Sequence, residues 1–141
     1  GGDTVTPAFE ERANKFLKNH NADTTISVGY GMTEAAATVA TSLPKVSRVG
    51  TVGIPLPGTI IKVVEPDTIN ELPYNHDGEI CFSTPTMMLG YYKNEEETDN
   101  IIKVHNDGKK YIHSGDIGHI DEDGFVTISG RIKRITRYFQ N

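Results

Sequence analysis

A short run of small, hydroxyl and carboxylate residues, VGYGMTE at positions 28–34, has the composition of a ligand-binding loop. Its glycines let the backbone approach a ligand closely. The Thr33 hydroxyl can donate a hydrogen bond to a phosphate oxygen. The neighbouring Glu34 can hold Mg²⁺, a hard cation that prefers carboxylate oxygens. The same residues also fit a tight turn in which Thr33 caps a helix and Glu34 is exposed, so both interpretations stay open.

A second group of polar residues lies towards the end of the chain, in HSGDIG at positions 113–118. Asp116 stands between glycines at the predicted end of a strand, where a carboxylate can accept hydrogen bonds from both hydroxyls of a ribose. The alternative for Asp116 is an Asx-turn. Arg131, in GRIKR at positions 130–134, offers donors for a ribose or a phosphate. An exposed surface arginine is the alternative there.

Composition narrows the class of partner. The chain has 141 residues, the size of one domain, and a formal net charge of −5. Nucleic acids and anionic membranes attract clusters of Lys and Arg, so neither is expected as a partner. No apolar stretch approaches the roughly 20 residues of a membrane span, and no signal peptide is evident. The single cysteine, Cys81, cannot form an internal disulfide, and no Cys/His spacing suggests zinc, which together fit a cytoplasmic protein.

The elements that must position these residues begin with a helix. Thr6 followed by Pro7 predicts its start, and the pattern predicts an end near residues 19–21. Apolar residues recur at helical spacing along one face, at Phe9, Ala13, Phe16 and Leu17. Residues 24–28 are short and β-branched and are predicted to form a strand, which the glycines at 29 and 31 should break.

From Val46 onward the pattern changes to short strands separated by Gly and Pro. Asn94 with Glu97 predicts one interrupting helix, with Ile101 and Ile102 facing inward. The sequence DEDG at 121–124 predicts the turn of a terminal hairpin. The strands are predicted at 59–65, 79–83, 110–113, 118–121 and 125–129.

The predicted fold class is α+β. A helix–strand piece of an α/β subdomain, residues 1–45, precedes a distorted antiparallel β-barrel, residues 46–130, and residues 131–141 begin a hinge.

Several motifs occur in an order that identifies a family. They are YGMTE at 30–34, GIPLPG at 53–58, GEIC at 78–81, MMLGY at 87–91, YIHSGD at 111–116 and GRIK at 130–133. In this order the chain resembles the adenylate-forming (AMP-dependent) synthetase and ligase superfamily, over essentially its whole length. Met32, where amino-acid adenylation domains usually have Pro, and the MMLGYY motif favour the acyl-CoA synthetase branch. The likeness is to the C-terminal part of the large N-terminal domain.

The resemblance implies a function in carboxylic acid activation. Such enzymes use ATP and Mg²⁺ to form an acyl-adenylate, with AMP as the nucleotide product, and then transfer the acyl group to coenzyme A. A fatty acid is the expected substrate. Two alternatives stay open: an amino-acid adenylation domain of a peptide synthetase, and a non-catalytic truncated homologue that acts as a binding module.

The resemblance also implies roles for residues in the first part of the chain. Gly2, Asp3 and Thr4 would border adenine. Tyr30 would stack on adenine, and Gly31 and Met32 would border the acyl pocket, where a glycine leaves room for a chain. Thr33 would contact phosphate and Glu34 the Mg²⁺, as the catalytic pair.

For the last part of the chain, Asp116 would bind the ribose hydroxyls with help from Arg131, and Lys133 would mark the hinge to a C-terminal domain. The family's phosphate loop and its C-terminal catalytic lysine would lie outside these 141 residues. The expected partner is therefore the remainder of a parent enzyme, and the isolated chain is expected to be inactive.

Overall fold

The computed structural model describes residues 4–132, which form an α+β fold. The helices are α1 (Pro7–Asn19) and α2 (Glu95–Ile101). The strands are β1 (Gly29–Met32), β2 (Ala37–Thr41), β3 (Ile54–Pro55), β4 (Ile60–Val64), β5 (Gly78–Ser83), β6 (Ile102–Val104), β7 (Lys110–Ile120) and β8 (Val126–Arg131). A single 3-10 turn, Thr33–Ala35, lies between β1 and β2.

Helix α1 begins as its capping residue predicts. The Thr6 hydroxyl accepts a hydrogen bond from the Phe9 amide at 3.2 Å, and Pro7 is the first helical residue. The helix turns Glu10, only 5% exposed, towards the rest of the described chain. Phe9 and Phe16, in the apolar stripe, are 55% and 61% exposed. The stripe therefore faces away from the described core.

The strand predicted at residues 24–28 is wrong, because the first strand starts at Gly29 and pairs with β2 as an antiparallel hairpin. The glycines that were expected to break a strand are part of it. A side chain at Gly31 would place its Cβ 2.0 Å from the carbonyl oxygen of Ala37, so glycine is what allows β1 and β2 to approach here. The register shifts between Tyr30 and Gly31, which is a local bulge.

A five-stranded antiparallel sheet carries most of the remaining chain, in the order β4-β5-β7-β6 with β8 also paired to β7. Strand β5 borders one edge of β7, while β6 and β8 border successive halves of the other edge. The two strands predicted at 110–113 and 118–121 are thus one strand. Gly115, with φ of 74°, and a register shift after Ile117 bend β7 without ending it.

Other predictions for this region are confirmed. Strands β4 and β5 lie where expected, and residues 121–124 form the turn between β7 and β8. The Asn94 side chain accepts a hydrogen bond from the Glu97 amide at 3.1 Å and caps α2. Ile101 at the end of α2 is 1% exposed, whereas Ile102 is half-buried and starts β6.

The two sheets are joined by backbone hydrogen bonds and by a common core. The Val52 amide donates to the Val126 carbonyl, and the Val126 amide donates to the Gly53 carbonyl, both at 2.8 Å. The antiparallel wall therefore continues from β8 to the segment before β3. Within residues 4–132 no ladder joins β3 to β4, so the barrel-like wall is open there. The shared core contains Ala35, Val39, Ala40, Ile61, Val63, Ile80, Phe82, Ile101, Ile112 and Val126.

The subdomain boundary between residues 45 and 46 stays a prediction, and the common core contains residues from both sides of it. Over the described part of the chain, no helix combines the length and the apolar character that a membrane crossing needs.

Candidate active site

A cleft of about 380 Å³ opens where the β1–β2 hairpin meets the end of α2, the middle of β7 and the end of β8. Three of the predicted site residues, Met32, Glu34 and Arg131, line this cleft. It is lined by Met32, Glu34, Tyr91, Ile101, Ser114, Gly115, Arg131 and Ile132.

Tyr30 and Asp116 are joined directly across the two sheets. The Tyr30 hydroxyl donates to Asp116 Oδ2 at 2.6 Å, and the Tyr30 ring contacts Phe82 edge-on at 6.4 Å between centroids. Burial, followed by the hydrogen bond to Asp116, raises the pKa of Tyr30. The phenol therefore remains a neutral donor at physiological pH.

Asp116 lies inside β7, and the prediction that it stands at a strand end is wrong. The glycines around Asp116 were taken to end the strand. Instead, Gly115 adopts a positive φ and β7 continues past it. The Asp116 amide donates to Ser114 Oγ at 3.0 Å, and that hydroxyl donates to the Ile80 carbonyl at 2.6 Å. The carboxylate is bound by a side chain of the other sheet, which is unlike an Asx-turn.

Arg131 is the last residue of β8 and pairs with Asp116 across the β7–β8 ladder. Its Nε lies 3.9 Å from Asp116 Oδ1, and its side chain is 76% exposed. An ion pair this exposed adds little to stability. The guanidinium is consequently available at the mouth of the cleft, next to a carboxylate that is 17% exposed.

Glu34 lies on the 3-10 turn and is held from the opposite wall. Its Oε1 accepts a hydrogen bond from the Tyr91 hydroxyl at 2.5 Å, and its backbone carbonyl accepts from the Met88 amide at 2.8 Å. The residue that caps this turn is Met32 and not Thr33, so the helix-capping interpretation of Thr33 does not apply. Thr33 itself is exposed beside Glu34.

The donor set at Glu34 fits a magnesium ion. Mg²⁺ is usually held by one or two carboxylates while it keeps several waters. Glu34 supplies one carboxylate, which Tyr91 binds through a single oxygen, and the cleft beside it is large enough for waters and phosphate groups.

The remaining predicted site residues differ in their positions relative to the cleft. A glycine is needed at position 31 for a structural reason that the sequence did not reveal. The backbone of β2, and not an open pocket, occupies the place where a side chain would lie. Met32 does line the cleft. Thr4 is exposed just before α1, while Gly2, Asp3 and Lys133 lie outside the described residues.

Two hydroxyl residues of the site were missed by sequence reasoning. Tyr91 was part of a recognised motif without a role, and its contact with Glu34 joins residues 57 positions apart. Ser114, between His113 and Gly115, turned out to hold the backbone of Asp116. A hydroxyl inside each motif was the available signal.

Comparisons with known proteins identify the family of the chain. Residues 1–92 match the family described as AMP-binding enzyme. The chain is 39% identical over 118 residues to 4-coumarate–CoA ligase-like 9 of Oryza sativa subsp. japonica, covering 80% of this chain and 20% of that protein. It is 40% identical over 106 residues to a long-chain-fatty-acid–CoA ligase of Escherichia coli, covering 74% of this chain and 18% of that protein.

A solved structure gives the same result for the fold. The crystal structure of a long-chain-fatty-acid–CoA ligase from Archaeoglobus fulgidus has a TM-score of 0.83 and 32% identity, covering 94% of this chain and 27% of that one. Because the family match extends over more than half of its residues, the chain belongs to the AMP-binding enzyme family. It spans about a fifth of the length of these curated relatives.

Proposed function

We propose that this chain is part of an AMP-forming acid–CoA ligase. In the first step a substrate carboxylate oxygen attacks the α-phosphorus of ATP, and pyrophosphate leaves. In the second step the thiol of coenzyme A attacks the acyl carbon, and AMP leaves. The observation that carries the proposal is a cleft with Glu34 on one wall and Arg131 at its mouth, beside the Tyr30–Asp116 pair.

The Asp116 side of the cleft would bind the nucleoside. A carboxylate offers about four acceptor positions, of which Tyr30 uses one. Asp116 can therefore accept from ribose hydroxyls without losing its contact with Tyr30. The bound hydroxyl also fixes the Tyr30 ring, whose proposed role is stacking on adenine. Arg131 would donate to the sugar from the cleft mouth.

The Glu34 side would bind the phosphates. Thr33 would donate to a phosphate oxygen, and Glu34 would hold Mg²⁺, which neutralises charge on the phosphates when bound. Tyr91 keeps the Glu34 carboxylate pointed across the cleft. No general base is required, because a carboxylic acid is already ionised at neutral pH.

The acid we propose is a fatty acid. The motif GRIKRI at 130–135 resembles medium- and long-chain ligases, and a long-chain-fatty-acid–CoA ligase is among the similar proteins and the similar structures. The similarity to a 4-coumarate–CoA ligase-like protein is equally high, so aromatic acids are the comparison class. The setting we propose is the cytoplasm, with the rest of a longer enzyme as partner.

Pyrophosphate and thioester formation test this function in the longer parent enzyme that we propose, because the isolated chain is expected to be inactive. With ATP and Mg²⁺, fatty acids of several chain lengths would be compared with 4-coumarate, benzoate and amino acids. Turnover of fatty acids that yields AMP and acyl-CoA is expected. Glu34→Gln should suppress it, whereas Glu122→Gln, in the exposed β7–β8 turn, should not.

Other outcomes would redirect the assignment. Pyrophosphate exchange with amino acids alone would identify the amino-acid adenylation class. Binding of ATP without turnover of any acid would favour the binding module. Turnover of 4-coumarate alone would retain the ligase and replace the substrate.

A further inference from the structure

On the face of the five-stranded sheet opposite the common core, three side chains with metal-binding atoms meet. Cys81 of β5 and His113 of β7 are directly opposed in the β5–β7 ladder. His105 follows β6 and reaches the same place. Their ligand atoms all lie within 4.8 Å of one another. Cys81 is 0% exposed, His113 3% and His105 4%, so the group is closed off from solvent.

Glu79 orients one of the two imidazoles. Its Oε2 lies 3.0 Å from His113 Nδ1, and its Oε1 accepts from the Gly115 amide at 3.0 Å. A carboxylate is an acceptor, so Nδ1 carries the proton and Nε2 presents its lone pair to the group. A carboxylate behind a histidine in this way is the usual outer partner of a metal-binding imidazole.

The spacing of the nitrogens suits a small tetrahedral ion. His105 Nε2 and His113 Nε2 are 3.0 Å apart. Two Zn–N bonds of about 2.0–2.1 Å at a tetrahedral angle place the nitrogens about 3.3 Å apart. The His105 ring is stacked on Tyr111 with 4.3 Å between centroids, which holds its plane. The alternative is a hydrogen bond from His105 to His113 with no ion.

We propose that Cys81 Sγ, His105 Nε2 and His113 Nε2 bind one Zn²⁺ ion, with Glu79 as the outer partner of His113 and a water completing four ligands. Thiolate plus imidazole is the donor set that zinc prefers, and it disfavours the hard Mg²⁺ of the nucleotide cleft. The sequence indicated no zinc site, because these ligands come from separate strands and are matched by sheet register, not by a short spacing.

Burial raises the pKa of the Cys81 thiol, so the thiol would lose its proton when the ion binds. The resulting thiolate and the Glu79 carboxylate would together offset the two positive charges of the ion. Lys62 is opposite Cys81 in the β4–β5 ladder, but its ammonium group is bound by Glu71 at 3.1 Å and Asp107 at 3.2 Å. The Lys62 charge is therefore paired with these two carboxylates and not with the Cys81 sulfur. An ion here would tie the residue after β6 to β5 and β7.

Direct metal titration tests the proposal and needs no enzymatic activity. The purified protein would be stripped with a chelator and titrated with Zn²⁺ against a competing indicator, and with Co²⁺ for its absorption spectrum. One ion per chain and a thiolate-to-cobalt charge-transfer band are expected. His105→Asn should weaken binding at least tenfold, and Cys81→Ser should abolish the band.

The matched control is His119→Asn, a histidine on the same strand that pairs with Asp77 away from the group. Its metal affinity should equal that of the wild type. Circular dichroism in chelator checks the fold of each variant; if His105→Asn fails to fold, His105→Gln replaces it, and if Cys81→Ser fails to fold, Cys81→Ala replaces it. Equal affinity in wild type and ligand variants, or a cobalt complex without a thiolate band, would overturn the proposal.

Discussion

Replacing Asp116 by Asn changes the charge at the proposed ribose contact while keeping the size of the side chain. In the structure Asp116 Oδ2 accepts from the Tyr30 hydroxyl at 2.6 Å, and the residue is 17% exposed on its side chain. The amide oxygen of Asn can still accept from Tyr30. The other position becomes a donor, which cannot accept from a ribose hydroxyl.

The magnitude follows from the one contact that is lost. A hydrogen bond to a charged group contributes about 1.5–3 kcal/mol. Since about 1.4 kcal/mol corresponds to a factor of ten, the KM for ATP should rise about tenfold or more in Asp116→Asn. The thermal midpoint should change little, because the buried Tyr30 hydroxyl keeps an acceptor. In Asp116→Ala that hydroxyl loses its acceptor, and about 1–3 kcal/mol of stability should be lost as well.

The assay measures two quantities on three variants of the parent enzyme: the KM for ATP from pyrophosphate release, and the midpoint of thermal unfolding. Tyr30→Phe is the matched control for Asp116→Ala, because it removes the Tyr30–Asp116 hydrogen bond but leaves the Asp116 carboxylate and an aromatic ring. Its KM should rise less than that of Asp116→Ala, while its midpoint falls. If Asp116→Asn lowers the midpoint and leaves the KM unchanged, Asp116 is a structural residue and the ribose assignment fails.

Three further outcomes follow from the same geometry. In the parent enzyme, Glu34→Gln should lower kcat about a hundredfold or more, because the charge proposed to hold Mg²⁺ is lost, and pyrophosphate release at saturating Mg²⁺ measures it. Gly31→Ala should cost about 3 kcal/mol of unfolding free energy, since its Cβ would meet the Ala37 carbonyl, whereas Gly130→Ala, with open space around it, should cost little in a denaturant titration. Stability contributed by protonated Tyr30 is complete below its unfolded pKa of about 10 and is lost as pH rises through its higher folded pKa, so alkaline unfolding should be less steep in Tyr30→Phe.

Local chemistry made part of the fold predictable. Thr6 and Asn94 mark the starts of α1 and α2 in the sequence, because a capping side chain accepts hydrogen bonds from free amides of the first turn wherever the helix lies in the fold. The turn at 121–124 is likewise encoded in its own residues. These signals need no information about distant parts of the chain.

Predicting strand ends from glycine residues gave wrong results. Gly29 and Gly31 were taken as a break, although both lie within β1, and at Gly31 the missing side chain permits close strand pairing. Gly115 was likewise taken as a break, so two strands were predicted. In the structure its positive φ bends β7, which continues past it as one strand. Whether a glycine ends a strand or bends it depends on the neighbour that pairs with it, which a single sequence does not display.

The motifs of the candidate site were recognisable, but their contacts were not. Tyr30 and Asp116 are 86 positions apart, and their hydrogen bond depends on how the hairpin packs against the sheet. The group around His113 was missed for the same reason, because sheet register alone opposes it to Cys81.

The placement of Asp116 within β7 has a consequence for motion. This strand has partners on both edges, β5 along one and β6 and β8 along the other. Opening it requires breaking ladders on both sides, so it belongs to the part of the domain that fluctuates least. Glu34 instead lies on a one-turn connection in a three-stranded sheet. We therefore expect the proposed nucleoside side of the cleft to be the more rigid wall, and the hairpin that carries Glu34 to be the wall that adjusts when a ligand binds.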